Sequence, residues 1–507
     1  MMTVYRDYTF LGTTQSLCPE CLTVVPAKII SRGSRVYFRK SCPEHGVRDD
    51  FVCSDASWFD RTDYSLPGKV PRSFGIAPRR GCPYDCGLCT EHEQHTCIGL
   101  LEITANCNLE CPMCFAVSGP GGVNLTLEEC QRAIDRLVEV EGQPEILQLS
   151  GGEPTVHPQF HEIHEYACRQ PIDIVMINTN GIRFARDNQF LERVARLRHR
   201  TEIYLQFDGF TDDINASLRG DRLLDIKLSA IERLGKAGLN TILVCTLQPS
   251  VNEHQIGEIV KFGMARPWVT GVSFQPATYS GRCILPEHLE QRITFPDVIH
   301  AVSTQTDGLW RESDFSPLPC AHPNGHTLAY AYRSLENSLP LARFVDLENH
   351  LDLLSGRITF NRQRARDLIQ EYLSRQSCTS GGCATPSTDR QPVTGPRRAV
   401  STLTAGTSDL SATELNLAQE FFQRAMQQEL APADMFRITT TSFMDAYNFD
   451  VRQLMKSCVH FVLPSGHLIP FSAYNVLYRD GHLPLPPLSG AESKTAEPIP
   501  LTIIGQT

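Results

Sequence analysis

The sequence predicts an α/β fold: a partial (β/α)6 barrel of the TIM type, with a metal-binding module before it and a C-terminal cap after it. Three observations predict this. From Leu100 onward, short apolar runs alternate six times with amphipathic stretches. The chain opens with closely spaced cysteine pairs, and the segment 435–478 mixes enough aromatic and apolar residues to pack back onto the repeats.

The strand candidates are 100–104 (LLEIT), 145–150 (EILQLS), 173–178 (DIVMIN), 202–207 (EIYLQF), 241–247 (TILVCTL) and 271–275 (GVSFQ). Helical patterns follow near 126–140, 157–169, 187–198, 222–237, 254–265 and 295–305. The first of these opens with a capping box, Thr126 with Glu129, and continues with an apolar face of Leu127, Cys130, Ile134, Leu137 and Val138. Parallel strands joined by helices put functional loops at the C-terminal strand ends. The cysteine loop and the polar motifs of the barrel described below fall at such ends.

The expected organisation is therefore a metal module at 1–65, a Gly/Pro/Cys-rich segment at 66–98 and the barrel at 99–310. An extension follows at 311–383, then a Ser/Thr/Pro/Gly-rich disordered linker at 384–412, and a cap with a loose tail at 413–507. Residues 413–428 read as a helix.

A net charge of -10 argues against a nucleic-acid partner, whose binding face is usually basic. No apolar run approaches the roughly 20 residues that span a bilayer, and the polar Met1–Phe10 is no secretion signal. The expectation is a cytoplasmic protein that touches a membrane at its surface if at all. In such a setting, 19 cysteines at short regular spacings read as metal ligands rather than as disulfides.

Three cysteine groups stand out. Cys107-Asn-Leu-Glu-Cys111-Pro-Met-Cys114 follows the first barrel strand directly. Three thiolates fill three iron positions of a cubane and leave the fourth open, the mark of a catalytic rather than a structural site. Cys82-Pro-Tyr-Asp-Cys86-Gly-Leu-Cys89 repeats that spacing and is followed by Cys97. Four thiolates would close a cubane, so this is read as an auxiliary [4Fe–4S] site. The alternatives are a four-cysteine zinc site, or His92 or His95 replacing or tuning a ligand. Cys18-Pro-Glu-Cys21 and Cys42-Pro-Glu-His45 form two knuckles with the layout of a rubredoxin or zinc ribbon, suited to mononuclear iron or zinc. Cys53 is an alternative fourth ligand to His45. Cys320, Cys378, Cys383 and Cys458 are candidates for one further cluster, with free thiols the alternative for Cys378 and Cys383 beside the linker. Cys320 and Cys458 are taken as the metal candidates, Cys130, Cys168 and Cys245 read as core residues, and Cys283 has no assigned role.

The Cys107 loop, followed about 40 residues later by Ser150-Gly151-Gly152-Glu153-Pro154 at the next strand end, resembles the radical S-adenosylmethionine (SAM) superfamily and its GGEP motif. The resemblance implies that the open iron chelates SAM and that an electron from the cluster splits it, giving a 5′-deoxyadenosyl radical. It further implies cofactor-binding roles for Gly151, Gly152, Glu153, Pro154, Asn180, Gln206, Asp208 and Gln275, and a low-potential electron donor as partner. Many members carry an aromatic residue just before the third cysteine, where this chain has Met113, so adenine stacking is left open.

The run Cys82–Phe115, the N-terminal knuckles and the block Asn448-Phe449-Asp450 to Pro470-Phe471 narrow the resemblance. Over about residues 15–330 and 440–478 the chain is similar to the tetraether lipid synthase family and its bacterial relatives, a group also described as pterin dimethyltransferases. That family implies three [4Fe–4S] clusters, one rubredoxin-like iron, and carbon–carbon bond formation on the alkyl chains of membrane lipids. Ser472 departs from it, standing where a cysteine is expected. The leading expectation is thus a radical SAM enzyme of lipid biosynthesis. The alternatives are a radical SAM methyltransferase acting on a pterin or other heterocycle and, against the barrel motifs, a non-enzymatic iron–sulfur or zinc protein.

Overall fold

The structure, a computed structural model, describes residues 6–334, 337–354, 362–379 and 410–488. The expected linker up to residue 409 and the tail beyond 488 lie outside the described residues. Four antiparallel strands form the N-terminal meander, β1 (Thr9–Leu17), β2 (Val24–Arg32), β3 (Arg35–Cys42) and β4 (Gly46–Cys53). Its tight turns present the cysteine knuckles.

Six parallel strands follow in sequence order across one sheet: β5 (Ile98–Thr104), β6 (Ile146–Gly151), β7 (Ile174–Thr179), β8 (Thr201–Gln206), β9 (Asn240–Leu247) and β10 (Val269–Pro276). These strands are covered on both faces, which is why they read as nearly unbroken apolar runs. The helices between them are α1 (Leu127–Glu141), α2 (Phe160–Arg169), α3 (Ile182–Arg186), α4 (Asn188–Ala195), α5 (Asp212–Arg219), α6 (Leu224–Lys236), α7 (Ile256–Met264) and α8 (Phe295–Gln305). The capping box on α1 forms as expected: the Thr126 hydroxyl accepts from Glu129 N, and the Glu129 carboxylate accepts from Thr126 N. Two helices were not foreseen. α3 and α5 have five and eight residues, too short to show a helical period, and each starts at a strand-end loop that helps to build the site.

The C-terminal cap is not a separate layer. It adds β11 (Ser316–Pro317), β12 (His326–Arg333), β13 (Ser338–Pro340), β14 (Met435–Thr441), β15 (Val459–Val462) and β16 (Leu468–Pro470) to the barrel sheet. The order is β11-β12-β14-β10-β9-β8-β7-β6-β5-β15-β16, with β13 beside β12. β14 pairs parallel to β10 and β15 parallel to β5, so both edges of the partial barrel are extended by strands from the far end of the chain. The helix Ala412–Met426 packs beside β12 through Phe421, which meets Tyr332 edge-on.

The N-terminal meander shares the main apolar core through Ile29, Val36 and Phe38. It is also pinned to the C-terminal segment. Lys40, 1% exposed, pairs with the equally buried Asp50 at 2.9 Å and donates to the carbonyls of Ala446 and Tyr447 at 2.8 and 2.7 Å. Burial lowers the Lys40 pKa, while the Asp50 charge opposes the shift. Lys40→Met leaves Asp50 with Arg48 as its remaining cation, at 2.9 Å, and strips two carbonyls of their donor. The expected cost is about 3 kcal/mol or more, seen as a fall in melting temperature; an unchanged melting temperature would remove the pair from the docking account.

Candidate active site and metal centres

β5 ends at Thr104, whose hydroxyl donates to Asn124 Oδ1 at 2.6 Å and accepts from Asn106 N at 2.9 Å. The chain then turns into the loop that carries Cys107, Cys111 and Cys114, and these three thiols line one cavity at the C-terminal mouth of the barrel. Cys107 and Cys111 are buried. Burial pushes the Cys107 thiol up to about 12 and raises Cys111, against the pull of Arg219. Thiols so poor at ionising alone become thiolates when a cation binds. Three soft donors on one loop suit three irons of a cubane.

The next strand end fits around this loop at backbone distance. Gly151 has φ of 125°, and a Cβ there would lie 2.0 Å from Thr104 O. At Gly152 it would lie 2.3 Å from Asn106 O, so neither position admits a side chain. The gain is two hydrogen bonds, Gly152 N to Thr104 O at 2.7 Å and Glu153 N to Asn106 O at 2.9 Å.

Of the residues expected to bind cofactor, Gly151, Gly152, Asn180, Gln206 and Gln275 line the cavity. Glu153, Pro154 and Asp208 do not: they are buried supports behind its wall. The Glu153 carboxylate accepts from the Thr155 and Thr179 hydroxyls at 2.6 and 2.8 Å and from Asn180 N at 2.7 Å, tying two strand-end loops together. Burial raises its pKa, with those hydrogen bonds opposing. Asp208 forms a bidentate pair with Arg219, both bonds 2.7 Å. Burial alone would raise the Asp208 carboxyl, but the guanidinium holds it below its ordinary value.

Sequence reasoning missed the cations here. Arg219, at the end of α5, lines the cavity beside the cysteine loop. Lys227 on α6 donates to Gln206 O at 2.7 Å, and burial pushes its pKa down to about 8 against the Asp208 charge. Arg282, after β10, clamps the loop through Cys111 O at 3.0 Å and Ser118 O at 2.5 Å. A single basic residue per helix or loop is no signal in a sequence; only the fold converges them. Cys283 also lines the cavity, its thiol donating to Met113 O at 3.3 Å.

Cys82, Cys86 and Cys89 line a second, smaller cavity with Asp85, Glu91 and His92. Asp85 stiffens that loop by accepting from Arg79 N and Gly81 N at 2.7 and 3.0 Å. Cys97 does not close this group, contrary to expectation. It is packed instead in one buried cluster with Cys320 and Cys458. The reason is strand pairing: the register Val459↔Ile98 sets Cys458 and Cys97 side by side, and Cys97 N donates to Cys458 O at 3.0 Å. Cys320 and Cys458 are thus brought together, with Cys97 as third member. His95 stands next to them, Nε2 3.5 Å from Cys97 Sγ, held through Nδ1 by Glu141 at 2.9 Å. His92 bonds Ser457 O at 2.8 Å and His460 Nε2 at 3.1 Å, and burial pushes it down to about 4. Ser472 is buried and its hydroxyl accepts from Met444 N at 2.9 Å.

At the N-terminus one donor atom from each of Cys18, Cys21, Cys42 and His45 lies within 4.8 Å of the others, a set that fits one mononuclear ion. The His45 hydrogen bond brings the Cys42 thiol down to about 6. Cys53 is elsewhere, buried in the main core with its thiol pushed up to about 12 and bonded to Asp55 O.

With this geometry in view, comparison with known proteins defines the class. Residues 101–263 match the Radical SAM superfamily and residues 10–54 match the HMPTM N-terminal zinc ribbon domain. The protein is a radical SAM enzyme, which uses SAM and a [4Fe–4S] cluster. The 7,8-dihydro-6-hydroxymethylpterin dimethyltransferase of Methanocaldococcus jannaschii is 32% identical over 496 residues, 92% of this chain and 94% of that protein. This chain belongs to that family. The mycofactocin maturase MftC of Mycobacterium tuberculosis is 31% identical over 160 residues, 31% of this chain and 39% of that protein. The solved structure of Streptococcus suis SuiB bound to S-adenosylmethionine matches with a TM-score of 0.35 and 16% identity, over 42% of this chain and 47% of that one. No helix among the described residues is long and apolar enough to cross a membrane.

The regrouping of cysteines has a direct check in iron content. Cys97→Ala, Cys320→Ala and Cys458→Ala should each remove the same roughly four irons, and a Cys97/Cys458 double variant no more than either single one. Combining Cys97→Ala with Cys86→Ala should remove about twice as much. If Cys97→Ala instead proved redundant with Cys86→Ala, the original grouping would return.

Proposed function

We propose that this chain transfers methyl groups to a reduced pterin by radical SAM chemistry. The observation that carries the reading is the lining of the barrel cavity. Beside the cysteine loop its wall bears the carboxamides of Gln148, Asn178, Gln206 and Gln275. Asn178 and Gln275 already donate to Ser150 Oγ and the Tyr204 hydroxyl, each at 3.0 Å, but the buried Gln206 Oε1 has no hydrogen-bond partner among the described residues. Against an alkyl chain it would stay unpaired, at about 1–3 kcal/mol. A heterocycle with amide and amino edges supplies that hydrogen bond. Relatedness along almost the whole chain to a pterin dimethyltransferase supports the same substrate class, and the comparisons lend no support to lipid coupling.

In this reading Cys107, Cys111 and Cys114 hold the catalytic cluster. When bound, the cluster supplies the electron that cleaves SAM to the 5′-deoxyadenosyl radical. The protein's own task is placement. Backbone groups at Gly151 and Gly152 and the side chain of Asn180 take the amino-acid end of SAM. Arg219, kept charged and aimed by Asp208, suits its carboxylate. β14 and β15 widen the wall on either edge and keep water from a radical that would otherwise be quenched. Cys82, Cys86 and Cys89, and separately Cys97, Cys320 and Cys458, hold auxiliary iron–sulfur sites. The N-terminal knuckles hold one iron or zinc ion.

Two measurements test this. A deletion strain should lose a methylated pterin and keep its lipid profile; loss of a coupled lipid with pterins intact would reverse the assignment. Cys111→Ser should abolish formation of 5′-deoxyadenosine while the other metal sites stay loaded, because a hydroxyl replaces thiolate poorly at iron. Wild-type turnover of SAM by that variant would dismiss the loop as the catalytic one.

A further inference from the structure

One side of the barrel cavity is a hydrogen-bonded ladder rather than a set of independent polar groups. Gln275, at the end of β10, donates through Nε2 to the Tyr204 hydroxyl at 3.0 Å. Tyr204, on β8, donates in turn to Ser273 Oγ at 2.8 Å. The phenol is therefore used in both directions. It fixes which end of the Gln275 carboxamide is nitrogen and leaves the amide oxygen, unbonded among the described residues, for another partner. Two strands away on β8, Gln206 is constrained differently. Lys227 takes its backbone carbonyl at 2.7 Å, while its side-chain Oε1 is buried without a hydrogen-bond partner among the described residues.

A buried acceptor left unmade costs about 1–3 kcal/mol, so its retention asks for a donor that arrives with a ligand. Gln206 and Gln275 project from strands separated by one neighbour, β9, which sets their backbones about 9–10 Å apart. Two long side chains across that gap can grip one flat ring from both sides. A carboxamide offers a donor and an acceptor in one plane and matches a nitrogen heterocycle edge bidentately, as Gln does with adenine.

We propose that Gln206 and Gln275 recognise the ring edge of the substrate, a planar heterocycle with adjacent N–H donors and a carbonyl or ring-nitrogen acceptor, and that Tyr204 and Ser273 position Gln275 for it. The proposal rests on the pterin reading of the function and deepens it. It also moves both glutamines from the cofactor to the substrate. SAM is left with Gly151, Gly152, Asn180 and Arg219 at the cavity mouth. Tyr204 and Ser273 act only through Gln275 and are positioning residues.

The test uses full-length enzyme with its clusters reconstituted. Binding of a dihydropterin is followed by its fluorescence, and binding of SAM by equilibrium dialysis. Gln206→Met and Gln275→Met keep volume and remove the hydrogen bonds; iron content and circular dichroism verify that the variants fold. Each should weaken pterin binding roughly tenfold or more and leave SAM affinity within about twofold. Tyr204→Phe should weaken pterin binding in the same direction but less, with no further loss when added to Gln275→Met. A purely structural role would make those two losses additive and would move SAM affinity as well. If wild-type enzyme binds the pterin and the methionine variants bind it equally well, the glutamine assignment fails while the function stands. Variants that lose SAM and keep the pterin return both residues to the cofactor. If the wild type binds no pterin at all, the functional reading falls, and this assignment with it.

Discussion

The parallel pairing of β15 with β5 is the contact on which most of the molecule turns. A six-stranded partial barrel leaves the outer edge of its first strand with unpaired N–H and C=O groups, next to the loop where radical chemistry is to occur. A strand from more than 350 residues downstream covers that edge, in the register Val459↔Ile98. Three consequences follow from the one register. Cys458 lands beside Cys97, which creates the Cys97–Cys320–Cys458 group. Ser457 O comes within reach of His92, which links that group to the Cys82 cavity through one hydrogen bond and a single residue of chain. Phe461 stacks on Phe471, and Phe471 on Phe443, so the closing strand backs an aromatic pair, Phe443 and Phe471, that lines the cavity.

Charge placement obeys the same economy. A site built for thiolates, a cluster and a carboxylate-bearing cofactor needs positive charge, yet an isolated buried cation is prohibitive. The structure resolves this by delivering each cation with a fixed partner. Arg219 comes with Asp208, Lys227 is spread over two backbone carbonyls, and Lys40 at the docking interface comes with Asp50. Asp208 is fully buried behind the cavity wall, its carboxylate turned to Arg219 and the Thr246 amide rather than to the cavity. This is why a residue at the expected strand end supports the site from behind.

What was legible in the sequence was local. The Cys-x3-Cys-x2-Cys loops, the double glycine and the knuckles announce themselves because their ligands sit within a few residues of one another and the chemistry demands that spacing. The six strands were legible because full burial writes them as apolar runs. The Cys97 regrouping was not, because 361 residues separate it from Cys458 and its nearest cysteine neighbours in sequence are the wrong ones. The same holds for β14 and β15: their pairing with opposite edges of one sheet is a tertiary fact, and in sequence they look like any cap. Arg219, Lys227 and Arg282 escaped for a simpler reason. Each is an ordinary basic residue until Asp208, Gln206 O or Cys111 O is set beside it.

The substrate class shows where family pattern and physical chemistry part. Cysteine spacing and barrel motifs describe how the radical is made, and they are shared by enzymes with unlike substrates. They cannot distinguish an alkyl chain from a heterocycle. The distinction lies in inward-facing positions of the strands, where the sequence offers only an alternation of apolar and polar residues. Once β6, β8 and β10 are curled into a wall, Gln148, Gln206 and Gln275 face the same space, and Tyr204 is locked by Ser273. A channel for hydrocarbon has no use for these groups and would carry their desolvation as a standing penalty. A pocket for a ring rich in donors and acceptors needs them, which is why the substrate class we propose rests on the barrel wall and not on the metal-binding loops.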